Sequence, residues 1–203
     1  MKTSSIKKML AVALATTTVM AMSFSAFATT TNNVVESGAS SVAEVVVPTT
    51  STAGGVKTTT AGVYMATVGT AVSTSAAEIS SSYGLGAGEK AYTKVWDLKA
   101  STSPAAANAI SAIAGTQNAV VGPMINLELG KMAGGKYSLL PESGAPITFA
   151  IALPASFNNA AANYAVICVR PGGAFEILPA VYSNGAVVFA TTGGKGAYAV
   201  IKY

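Results

Sequence analysis

Residues 146–203 read PITFAIALPASFNNAAANYAVICVRPGGAFEILPAVYSNGAVVFATTGGKGAYAVIKY, and the rhythm of this stretch decides the fold. Ile147, Phe149, Ile151 and Leu153 fall at every second position, which places four large apolar side chains on one face of a strand. Pro154 has no N–H to give to a ladder and stops it. Residues 164–169 form a nearly continuous apolar run that closes on Pro171, Gly172 and Gly173. Phe175 to Leu178 resume the run, so two strands joined by a glycine-containing turn are expected. Asn184 and Gly185 then stand between Val181-Tyr182 and Val187-Val188-Phe189. A type I′ hairpin turn needs positive φ at both central residues, and Asn-Gly supplies it. Gly193, Gly194 and Gly196 interrupt the pattern again before a short closing strand at residues 197–201. Five strands in so short a stretch leave no room for helical crossovers, so most neighbours must be antiparallel.

The preceding residues extend this β-rich body. Residues 137–140 read as a short strand after a turn at 131–136, and Val120-Val121 lead into a strand over 124–129, where Ile125, Leu127 and Leu129 alternate with Asn126 and Glu128. Ser103 followed by Pro104 has the form of an N-cap and a first helical position. A helix over residues 105–114 follows, with Ala106, Ile110 and Ile113 on one face and Gly115 at its end. Residues 91–98 alternate Tyr92, Lys94, Trp96 and Leu98 against Ala91, Thr93, Val95 and Asp97. Neither face is cleanly apolar, which suits a strand near a sheet edge. Gly84, Gly86 and Gly88 precede Glu89-Lys90, but the spacing matches neither a Walker loop nor a dinucleotide fingerprint, and a turn is the reading. Ser75 and Glu78 have capping-box spacing, with a short helix running to about Tyr83 and ended by Gly84. Residues 63–72 read as one or two strands bent at Gly69. The fold class expected is mainly β (α+β): an antiparallel β-sandwich, Ig-like in outline, with one or two short helices.

At the N-terminus Lys2, Lys7 and Lys8 precede an apolar run, and Ala26-Phe27-Ala28 has the form of a cleavage site, so residues 1–28 are read as a secretory signal peptide. Thr16, Thr17 and Thr18 interrupt a run already short for a membrane span. Residues 29–60 are rich in Thr, Ser, Ala and Gly and read as a tether, with Val45-Val46-Val47 as a candidate edge strand, and residues 61–203 as a single β-rich domain. The signal carries three of the twelve basic residues and none of the eight acidic ones, so nine against eight remain. The remaining lysines are scattered rather than clustered, which argues against nucleic acid as a partner. Charged residues make up only 10% of the chain, so hydroxyl and small side chains must keep such a surface wet.

Within residues 147–200, the segments ITFAIALP, YAVICVRPGGAFEILPAVYSNGAVVFATT and AYAVIKY run in an order that resembles small β-sandwich modules of secreted and wall-associated Gram-positive bacterial proteins. Leu153-Pro154, Glu176-Ile177-Leu178, Val187-Val188-Phe189 and Tyr198-Ala199 carry the likeness. Gly194-Lys195-Gly196 depart from the Phe-Ser that more often precedes the closing Tyr in those modules. The resemblance implies a non-catalytic extracellular module with no transferable active site.

The inventory of reactive groups points the same way. There is no histidine, which excludes Ser-His-Asp and Cys-His systems and His-ligated zinc. The single cysteine, Cys168, excludes an intrachain disulfide and sits inside an apolar run, where a thiol behaves as a small hydrophobe. Of the carboxylates, Glu36 and Glu44 fall in the tether and Glu78 is a cap. Glu89, Asp97, Glu128, Glu142 and Glu176 form no paired motif of the kind a glycosidase needs. No catalytic residue, cofactor or metal ligand is therefore assigned. The expected role is structural, adhesive or protein-binding at a cell surface, with carbohydrate binding as the alternative and an unrecognised glycoside hydrolase behind it. Sugar binding would need exposed aromatics, for which Trp96, Tyr92, Tyr64 and Tyr83 are the candidates. The loops at 155–163 and 171–173, rich in Asn and Gly, are the expected contact surface.

Overall fold

The computed structural model describes residues 51–203, and the segments read as a signal peptide and as most of a tether, with Val45-Val46-Val47, lie outside them. In chain order the described elements are β1 (Thr52–Ala53), β2 (Val56–Lys57), β3 (Ala61–Met65), β4 (Thr70–Val72), α1 (Ala76–Ser82) and β5 (Glu89–Asp97). These are followed by α2 (Pro104–Thr116), β6 (Val120–Ala133), β7 (Lys136–Leu139) and β8 (Ile147–Ala152). The last four are β9 (Tyr164–Val169), β10 (Phe175–Ser183), β11 (Ala186–Thr191) and β12 (Gly194–Lys202). The body is mainly β with two helices, as expected.

The five C-terminal strands form as their spacing dictates. Ser183 pairs with Ala186 across the two-residue turn, where Asn184 has φ 47° and Gly185 φ 76°. A second such hairpin joins β6 to β7 through Gly134 and Gly135, at φ 53° and 77°. Phe175 to Leu178 and Val181-Tyr182 belong to one strand, β10. Residues up to Pro179 pair with β9 and those from Ala180 pair with β11, so the proline falls where the strand exchanges partners. Apart from the small β1–β2 ladder, all strands lie on one hydrogen-bonded path, β3-β5-β6-β12-β9-β10-β11-β8-β4, with β7 added on β6. Along it only β3–β5 is parallel. The two end strands, β3 and β4, are consecutive in sequence and joined by residues 66–69, so the sheet nearly closes on itself where two separate layers were expected.

Each face of the sheet has its own core. The inner face gathers Val95, Ile125, Leu127, Phe149, Ile151, Val166, Phe189 and Tyr198, and α1 adds Ile79. The outer face of β6, β12 and β9 is covered by α2, whose Ile110 and Ala114 meet Ala165, Ile167, Ala197, Ala199 and Ile201. This double burial explains why β9 lacks polar alternation. The outer face of β4, β8 and β11 is covered by the β1–β2 hairpin, with Ala53 against Ala71, Ala150 and Ala186. Residues 51–60, expected in the tether, are thus partly folded. Their apolar signal is a stripe of alanines that forms only when four strands are side by side.

The capping box of α1 forms: Ser75 Oγ accepts from the Glu78 N–H at 3.2 Å, and Glu78 accepts from the Ser75 N–H at 2.9 Å. Ser103 is the N-cap of α2, but its side chain makes no capping hydrogen bond. Gly115 does not end that helix. It runs to Thr116, and Asn118 supplies the left-handed residue at φ 52°. The expected bend at Gly69 separates β3 from β4, and β5 lies one strand in from the β3 edge.

Candidate functional site

An open trough of about 450 Å³ lies on the outer face of the sheet beside the first turns of α2. Strand register builds its floor. Ala91 and Val95 of β5 point to the inner core, so Tyr92, Lys94 and Trp96 point outward. Trp96 pairs with Asn126, Asn126 with Ala197 and Ala197 with Val169, which makes one row across β5, β6, β12 and β9. In the neighbouring row Lys94 pairs with Glu128 and Glu128 with Lys195. Ala105, Ala106 and Ala109 of α2 form one wall, and the turn at 171–173 closes an end.

Arg170 holds that turn in place. It lines the trough, while its guanidinium donates to the Gly193 carbonyl at 3.0 Å and to the Thr191 and Thr192 hydroxyls at 3.2 and 3.1 Å, with Glu176 at 3.7 Å. The turn itself is made by Gly172 and Gly173, at φ 88° and 87°. On the β7 side Lys94 Nζ lies 3.8 Å from the centre of the Tyr137 ring, and that ring occupies the space a Cβ on Gly130 would fill. The Tyr137 hydroxyl is buried and faces Glu128. Burial first, and the Glu128 charge second, push its pKa above the usual phenol range.

The sequence candidates separate on this frame. Trp96 is half-buried and opens on the trough. Tyr92 shares its face of β5 but is buried, edge-on to Tyr137 with centroids 5.9 Å apart. Tyr64 donates to the Thr60 carbonyl at 3.0 Å and packs toward the inner core. Tyr83 donates to the Ala145 carbonyl at 2.6 Å and accepts from the Gly193 N–H at 2.9 Å. The paired-loop contact surface is overturned, because 155–163 and 171–173 lie at opposite ends of β9. The first loop is exposed along most of its length but anchored at Phe157. Phe157 is buried, and the Tyr164 hydroxyl lies 3.1 Å from its carbonyl and 2.8 Å from the Asn159 N–H. The second loop remains exposed and joins Trp96 in the trough.

The carboxylates are dispersed. Glu78 serves the α1 cap, Glu89 meets Lys131 at 2.5 Å, Asp97 accepts from the Thr67 N–H and hydroxyl, and Glu176 faces Arg170. Glu128 is the carboxylate that lines the trough. Cys168 is buried on the inner face beside Tyr198 of β12, and burial pushes its thiol up to about 11. Among the described residues there is no cluster of three or more Cys, Asp or Glu able to hold a metal, and no helix is long and apolar enough to cross a membrane. No protein-family model, curated protein or solved structure matches the chain. Sequence reasoning missed Asn126, Lys195 and the α2 wall, since nothing in their local context marks them. Cross-strand register brings them together.

Proposed function

We propose that this chain is a secreted, non-catalytic surface module, and that it acts by binding through the α2–β5–β6–β12 trough. The observation that carries this reading is the trough itself, which unites Trp96 with the exposed turn at 171–173 on a rigid sheet. Its size falls in the range of ligand pockets, roughly 300–1,000 Å³. Binding rather than turnover is supported by Glu128 being the one carboxylate along it among the described residues, since acid-base hydrolysis of glycosides uses two. Cys168 faces the inner core, on the other side of the sheet from the trough, so the one thiol of the chain is not offered to a ligand there.

The test is adsorption of the purified chain to Gram-positive cells and to their extracted surface proteins, alongside a panel of hydrolase substrates. Ala109→Arg, which fills the trough from the helix side, should abolish adsorption while the panel shows no turnover. Turnover that disappears in Glu128→Gln would overturn the reading. Adsorption unchanged in Ala109→Arg would overturn the trough as its site.

A further inference from the structure

We infer that the trough takes a glycan, with a pyranose ring stacked on Trp96 and its hydroxyls met by Asn126, Glu128 and Lys195; this rests on the binding reading above. Three features of the site select this ligand class. The first is what the trough lacks. Its floor lies in the middle of the sheet, where β5, β6, β12 and β9 are already paired on the sides that meet, so no strand edge opens into it. An extended peptide recognises a sheet chiefly by completing a ladder, and here it would find no ladder to complete. Recognition must come from side chains.

The second feature is the combination of side chains. An indole offers a flat apolar surface, and beside it in the same two rows stand an amide, a carboxylate and an ammonium. A pyranose has one apolar C–H face and a rim of hydroxyls, each both donor and acceptor, which such a set can satisfy from both sides. The charged members are not consumed by each other. Glu128 and Lys195 are directly opposed in register, yet no ion pair within 4.0 Å joins them. The third feature is clearance. Ala105, Ala106, Ala109, Gly172, Gly173 and Ala197 keep the walls low, leaving space over the indole for a ring.

Trp96 is the single tryptophan of the chain, so its emission reports directly on occupancy of the trough. The full chain is titrated with neutral oligosaccharides of three to six units, namely cello-, xylo-, manno- and chito-oligosaccharides, followed by emission, by acrylamide quenching and by calorimetry. One series should shift the emission to the blue and reduce quenching at least twofold, with calorimetric saturation at the same midpoint. Lys195→Glu, at an exposed position, should weaken binding about tenfold or more with an unchanged melting temperature. Trp96→Phe should retain measurable binding by calorimetry where Trp96→Ala abolishes it, a split that simple unfolding would not give. Absence of any response at millimolar sugar would overturn the glycan. If surface-protein adsorption were still lost in Ala109→Arg, the trough would survive as a site for protein, whereas loss of neither would remove both inferences.

Discussion

At the scale of single residues, stability rests on hydroxyls whose partners are far away in sequence. Tyr83 ties the end of α1 to the Ala145 carbonyl and to the Gly193 N–H, and its ring fills the space beside Gly144. Tyr83→Phe should therefore cost about 1–3 kcal/mol in chemical denaturation, since the ring is kept and the Gly193 N–H loses its acceptor. A second expectation follows from the inner core, where Cys168 lies beside Tyr198. Burial raises the Cys168 thiol to about 11 from an ordinary value near 9, and the Tyr64, Tyr137 and Tyr198 phenols are also raised, burial being the leading cause for each. All four groups are held neutral in the folded state. Their contribution is complete below the unfolded values and is lost as pH climbs through the folded ones. Stability should be flat through neutrality and fall from about pH 9 upward, with Cys168 alone accounting for about 2–3 kcal/mol by pH 11. Denaturant midpoints measured from pH 7 to 11 check this. In the same series Cys168→Ala should flatten part of the decline, and Ellman's reagent should reach the native thiol only after unfolding.

At the scale of elements, the β1–β2 hairpin makes the sharpest claim. Ala53 is 2% exposed against Ala71, Ala150 and Ala186, and a Cβ on Gly54 would sit 2.6 Å from that of Ala186. A chain beginning at Ala61 should be less stable than one beginning at Ser51 by about 2–4 kcal/mol, from uncovered apolar surface and the lost Thr58–Tyr64 hydrogen bond. Equal thermal midpoints for the two would show the hairpin to be ornamental. Its composition is why it escapes sequence reading: Thr, Ser, Ala and Gly spell a linker unless the facing alanines are known. The C-terminal strands are legible for the opposite reason, because period-two apolar residues and Asn184-Gly185 specify a hairpin within a dozen residues. Trp96 is recognisable as a candidate, but its companions are not. Asn126 and Ala197 reach it through pairings that span 30 and 71 positions, and register over such separations is a product of the whole sheet.

At the scale of the whole described body, protection should follow the double-sided burial. β9 and the second half of β12 are covered on one face by the inner core and on the other by α2, whereas β7 is an exposed addition with Leu139 at the surface. Native-state hydrogen exchange should place the slowest amides in Val166 to Cys168 and Ala199 to Ile201, and much faster ones in Lys136 to Leu139. Slow exchange in β7 with fast exchange in β9 would contradict the layering.

The position of β12 in the sheet has a temporal meaning. It lies between β6 and β9, yet it follows both in sequence, so a chain delivered from its N-terminus must hold two strands apart until residues 194–202 emerge. During that interval β6 and β9 each present an unsatisfied edge rich in Val, Ile and Leu, the kind of surface that recruits a second chain. Synthesis therefore delivers the closing piece last, and an arrested or clipped molecule would be sticky rather than merely incomplete.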